Sequence, residues 1–235
     1  MQGKGGVGKS FVASLLVQWH QQHERPVMAF DTDPLNATLR DFPGLAAVPV
    51  KLLDEDQINV EAVDGLVEQI ATKPGASVID NGSASFAPMG RYLVSNGIAE
   101  LLAAHDRRLV LHAVVIGGQP ALDTLRGLIA LLDQFPKGVP VVVWVNEYAE
   151  RFNVDGYAFE ETRAYQDNAM RIAGVVHLPT IEQRTFGRDI AAMLAKRMTF
   201  AEAIESPDFF LVSKSRLFRI RQTIFDQLDT VLEAI

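Results

Sequence analysis

The stretch QGKGGVGKSF, residues 2–11, decides how this chain is read. Gly3, Gly8, Lys9 and Ser10 fit the spacing G-x-x-x-x-G-K-[S/T] of a phosphate-cradling P-loop. Glycines let backbone N–H groups turn inward toward phosphate oxygens, and the helix that follows offers its positive end. Gly3, Gly5, Gly6, Val7, Gly8, Lys9, Ser10 and Phe11 are therefore the candidate phosphate-binding residues. Lys9 is expected to reach the β- and γ-phosphates and Ser10 to ligate Mg2+. Lys4, a second lysine inside the loop, is not required by that spacing.

A loop of this kind joins a strand to a helix, and its strand normally lies centrally in a parallel sheet. Only Met1 and Gln2 precede Gly3. The first P-loop strand is thus expected to be missing from the chain as given, with the true start upstream, because an open slot between parallel strands leaves backbone groups unpaired.

Beyond the loop, valine- and isoleucine-rich runs alternate with longer helical stretches. RPVMAFD, ASVID, RLVLHAVVI, VPVVVWVN and IAGVVHL show little polar alternation, which suits strands covered on both faces. Helices are expected at roughly 8–23, 60–72, 87–104, 119–134 and 183–196, with a last one from about 208. The alternation implies βαβ units, hence an α/β fold: an open, mostly parallel sheet with helices on both faces. Residues 1–235 are read as a single P-loop domain, with no repeat or linker. The stretch from Asn146 to Asn168 is the least regular and reads as an insertion or surface loop carrying a helix.

Composition narrows the function classes. The 235 residues are 48% hydrophobic and 22% charged and include no cysteine. Disulfides, thiolate catalysis and cysteine-ligated metal are excluded. A formal net charge of −7 argues against overall attraction to nucleic acid. No segment approaches the roughly 20 apolar residues of a membrane span, and a P-loop at the start is not a signal peptide. A cytoplasmic protein is expected.

Acidic residues end two of the apolar runs. VMAFDTDP places Asp31 at its end and Asp33 just beyond, and ASVIDNG ends at Asp80. Strand carboxyl ends share one rim with the P-loop in a parallel sheet, so these carboxylates can converge on phosphates. Asp80 stands where P-loop enzymes hold magnesium, Asp31 is a further metal candidate, and Asp33 can orient or deprotonate the attacking water. The alternative for each is a cap or turn residue.

KGGVGKS resembles the deviant Walker A loop of the ParA/MinD ATPase superfamily, in which the early lysine is a signature. DTDPLNATL is similar to the switch I pattern D-x-D-P-Q-x-N of that family, and VIDNG to its switch II. Over most of its length the chain also resembles a family of conjugal transfer proteins of plasmids and related mobile elements. The resemblance implies an ATP-dependent homodimer closing face to face around two ATP molecules with Mg2+. Lys4 then acts across the interface on the partner's nucleotide, in the manner of an arginine finger, while Lys9 and Ser10 act on their own. It further implies an accessory role in conjugation, with a protein of the transfer machinery as partner. Two departures bear on turnover: Leu35 replaces the switch I glutamine, and Asn81-Gly82-Ser83 replaces the proline-bearing switch II. Gly82 still has an N–H to offer the γ-phosphate.

For the base, WVNEYA puts Glu147 and Ala149 where the guanine-reading N-K-x-D has lysine and aspartate, so guanine is disfavoured. Asn146 and Pro179 resemble the adenine-side asparagine and proline of the family. Asn146 also reads as a plain turn residue. A partition ATPase acting on nonspecific DNA, a small-molecule kinase or ligase of the dethiobiotin synthetase type, and a nonhydrolysing nucleotide-binding module remain open.

Other features read as structural. His20 and His23 lie three apart at a helix end, where histidines suit the dipole. The serines of NGSASF lack the nucleophile-elbow pattern. In the last helix Leu217, Ile220, Ile224, Leu228 and Val231 recur at helical spacing and are expected to pack inward. Lys214, Arg216, Arg219 and Arg221 read as its solvated face.

Overall fold

The apolar runs pair side by side as parallel strands. A computed structural model describes residues 6–33, 38–54 and 57–235. Helix α1 (Lys9–Gln22) leads into β1 (Val27–Asp31). Short β2 (Val48–Pro49) follows, and then a small hairpin of β3 (Leu53–Asp54) and β4 (Gln57–Ile58). Next come α2 (Val60–Thr72), β5 (Ala76–Asp80), α3 (Phe86–Ser95) and α4 (Ile98–Ala103). The second half runs β6 (Leu111–Ile116), α5 (Ala121–Gln134), β7 (Val141–Asn146), α6 (Arg163–Gln166), β8 (Ile172–Leu178), α7 (Arg188–Ala195), α8 (Phe200–Glu205) and α9 (Leu211–Glu233).

Two three-stranded parallel sheets result, ordered β2-β1-β5 and β6-β7-β8. Among the described residues no strand pairs with both β5 and β6. The expectation of a missing P-loop strand concerns residues ahead of Gly6, which lie outside those described. The register of β1 on β5 runs without a break from Val27↔Ala76 to Asp31↔Asp80. Two of the candidate carboxylates are thereby placed side by side on one rim.

Strand β7 shows why so apolar a sequence is needed. Val142 and Trp144 face a core built with Leu15 and Val17 of α1 and Ile224 and Leu228 of α9. Val141, Val143 and Val145 face the opposite way, onto Leu128 and Leu131 of α5. Each such side chain contributes about 1.5–3 kcal/mol when fully buried. The inward positions expected for α9 (Leu217, Ile220, Ile224, Leu228 and Val231) are all buried. Gln227 of α9 also accepts from His177 N at 2.8 Å and donates to His177 O at 3.0 Å, satisfying backbone of β8.

Some boundaries differ from the sequence reading. The helix expected over 87–104 is two helices, because Gly97 turns left-handed at φ 60 between α3 and α4, a conformation glycine adopts without strain. The stretch expected at 183–196 opens with a π-helical turn, Gln183–Gly187, before α7. Helix α8, unexpected, is started by a capping box in which Thr199 and Glu202 satisfy each other's backbone N–H. The irregular stretch holds a Val154–Tyr157 bridge, a 3-10 turn and α6.

Arg216 is not the solvated cation expected of it. Its Nε donates to Asp189 Oδ2, and Asp189 is 3% exposed. His23 pairs at 3.2 Å with Asp229, a carboxylate that sequence spacing did not reveal. Among the described residues no cluster has the makings of a metal site of three or more histidine or acidic ligands. No described helix is long and apolar enough to cross a membrane.

Candidate functional site

The P-loop turns on two left-handed glycines, Gly6 at φ 78 and Gly8 at φ 99, with Val7 buried between them. L-residues rarely adopt such angles. Gly8 caps α1, and its carbonyl accepts Val12 N at 2.9 Å. A β-carbon at Gly8 would lie 2.9 Å from Asn146 Nδ2, so side-chain volume is excluded there twice over. Gly3, Lys4 and Gly5 lie outside the described residues, as do Pro34, Leu35 and Asn36 of the switch I pattern.

Lys9 and Ser10 open α1 and point its start at the rim of the first sheet. The Ser10 side chain hydrogen-bonds to the Asp80 carboxyl, and Lys9 is close enough to act electrostatically on it. Burial lowers the Lys9 ammonium below its ordinary range, while Asp80 and Asp33 pull it back up. Asp80 itself is 3% exposed. Burial pushes its carboxyl up to about 6, helped by Asp31 and Asp33 and opposed by Ser10 and Lys9. Its Oδ2 is buried with no hydrogen-bond partner among the described residues. A bare carboxylate oxygen beside a serine hydroxyl is an arrangement in want of a cation, and hard divalent cations take oxygen donors of this kind.

Asp31 is placed differently. Its Oδ1 accepts Asp33 N at 3.1 Å and its Oδ2 accepts Arg40 N at 2.9 Å. Both oxygens thus clasp the loop that leaves β1. Asp33 is half-buried beside Gly82, where a β-carbon would come within 2.8 Å of Asp33 Cγ. Lys9, Asp33, Asp80 and Gly82 are therefore brought together.

The base-side candidates converge as well. Asn146 and Pro179 line one pocket of about 240 Å³ with Gly8, Phe11, Tyr148 and Ile224, and its surface is nearly all apolar. Glu147 does not line it. Its Oε1 accepts Phe152 N at 2.9 Å, and its other oxygen stands 4.0 Å from His177. Asn146 also braces the phosphate loop, since its Nδ2 donates to Val7 O at 3.0 Å while its Oδ1 accepts Tyr148 N at 3.1 Å.

Sequence reasoning missed Tyr148, whose hydroxyl donates to Gly187 O at 3.2 Å while its ring lines the pocket. It also missed Thr32 and gave Asn81 no role beyond replacing a proline. Polar residues directly after apolar strands were the available signal.

The family model described as "CobQ/CobB/MinD/ParA nucleotide binding domain" matches residues 1–198. Two curated proteins from Escherichia coli, each called "Protein TraL", are 38% identical over 229 residues, covering 97% of this chain and 95% of each relative. Among solved structures, the MinD cell division protein of Aquifex aeolicus is similar in fold, with a TM-score of 0.52 at 14% identity, covering 96% of this chain and 95% of that one. By the extent of these matches, the chain belongs to the TraL family, within the CobQ/CobB/MinD/ParA nucleotide-binding-domain proteins.

Proposed function

We propose that the chain is an ATP-binding and ATP-hydrolysing dimerisation switch with an accessory role in plasmid conjugative transfer, acting in the cytoplasm. The observation that carries this reading is the buried Asp80 carboxylate, with a bare oxygen, set against the P-loop residues Lys9 and Ser10. Gly6, Val7 and Gly8 turn backbone N–H groups to the phosphates, and Lys9 neutralises their charge. Ser10 and Asp80 would hold Mg2+, which would supply positive charge against the phosphates when bound. Asp33, beside Gly82 and Lys9, orients or deprotonates the attacking water. By resemblance, Lys4 of the partner subunit adds a cation from across the dimer.

The apolar pocket supports adenine over guanine. It offers Phe11 and Pro179 as flat packing surfaces, and Glu147 is turned away from it. Conjugation is supported by the family membership.

Calorimetric titration with ATP and GTP, with and without Mg2+, tests the site. ATP should bind at least tenfold tighter than GTP, and Mg2+ should tighten it further. Lys9→Ala should abolish binding, and Asp80→Asn should remove most of the Mg2+ dependence. Equal affinity for the two nucleotides, or binding indifferent to Lys9, contradicts the reading.

A further inference from the structure

Past Asp31 and Asp80, the last ladder pair between β1 and β5, the two strands turn into the loops that carry Asp33 and Gly82. At that branch point stand Thr32, 1% exposed, and Asn81, 3% exposed. Thr32 N donates to Asp80 O at 2.9 Å. The Thr32 hydroxyl lies 2.9 Å from that same carbonyl and 2.7 Å from the Asn81 side-chain amide. One hydroxyl proton serves one acceptor at a time, and the shorter approach is to the Asn81 amide oxygen, whose own burial leaves it dependent on that proton. Ser85 closes the second loop from its far side by donating to Gly82 O at 3.1 Å.

We propose that Thr32 and Asn81 form a latch that makes Asp33 and Gly82 move together, and that Thr32 is a positioning residue for Asp33. The inference rests on the nucleotide-switch reading above. The loop after Asp80 has no proline before Pro88, so its backbone carries little stiffness of its own. The buried side-chain bond supplies the constraint instead. Asp33 and Gly82 meet closely enough that a β-carbon at Gly82 would strike Asp33. A shift of Gly82 toward a γ-phosphate therefore carries Asp33 with it while the latch holds. ADP lacks that phosphate and gains nothing from the coupling.

The test compares the unaltered chain with Thr32→Val, Asn81→Ala, the double variant and Thr32→Ser. Without nucleotide, amide hydrogen exchange over residues 82–86 should quicken about tenfold in Thr32→Val. Exchange over β1 and β5 should hold, and Thr32→Ser should restore the slow rate. With Mg2+, Thr32→Val and Asn81→Ala should each weaken a nonhydrolysable ATP analogue about tenfold and ADP less than twofold. The double variant should be no worse than either single one. Unchanged exchange, equal losses for both nucleotides, or additive losses would overturn the latch. Should the unaltered chain bind neither nucleotide, the switch reading fails while the exchange data still decide whether the loops are latched.

Discussion

Asn146 Nδ2 donates to the Val7 carbonyl at 3.0 Å, tying the end of β7 to the P-loop. The residue that sequence resemblance assigned to the base is thus first a strut for the phosphate loop. Both ends of its amide are engaged, since Tyr148 N occupies the oxygen. Asn146→Ala strands a carbonyl on Val7, which is 2% exposed, and leaving such a group unpaired costs about 1–3 kcal/mol. ATP, ADP and inorganic tripolyphosphate should therefore weaken together by roughly tenfold. Loss confined to the nucleotides would mean that Asn146 reads the base instead.

The Asp80 carboxyl makes stability depend on pH in a defined direction. Its folded value, about 6, lies above the ordinary 3.8 because burial disfavours the charge. The folded chain therefore holds the proton more tightly than the unfolded chain does. The stability so gained is fully present below 3.8 and is lost as pH rises through about 6. The change amounts to about 3 kcal/mol. In urea unfolding without ligand, Asp80→Asn should be the more stable protein at pH 7.5, and the gap should close by pH 4. Mg2+ with ATP should reverse the order at pH 7.5. An equal gap at both pH values would show that Asp80 is not a strained acid.

Asp189 and Arg216 join α7 to α9, the two helices that also line the apolar pocket, with Arg216 Nη2 also 3.2 Å from Ser213 Oγ. Arg216→Met leaves a buried carboxylate uncompensated, at a cost of about 3–5 kcal/mol. The double change Asp189→Leu, Arg216→Met should recover most of that loss, as replacing a whole buried pair by apolar groups often does. Chemical denaturation of the four proteins checks this. Additive losses would mean that the two groups do not act as a pair.

The sheet was legible in the sequence because a strand covered on both faces leaves no room for polar residues. From Val141 to Val145 every side chain is at most 1% exposed. The site's outline was legible for a similar reason: Asp31 and Asp80 end apolar runs, and parallel pairing puts such ends on one rim. What stayed hidden were the relations across the chain. Nothing local marks Arg216 as the partner of a residue 27 positions away, or Asn146 as the partner of one 139 positions away. Gly97 hid inside a helical pattern because the apolar spacing continues past it, and only its left-handed backbone reveals the break. The T-x-x-E signal of α8 was present as Thr199 and Glu202 but stood outside any long periodic run. Asp31 read as a metal candidate from its place at a strand end. Its clasp on Asp33 N and Arg40 N depends on how the following loop folds back, which no local pattern encodes.

The switch itself is tested most directly by molar mass from light scattering on Asp33→Ala, incubated with ATP and Mg2+. Slowed hydrolysis should trap a species of twice the monomer mass that ADP does not produce and that Lys9→Ala cannot form. A monomer mass at saturating ATP would contradict the account.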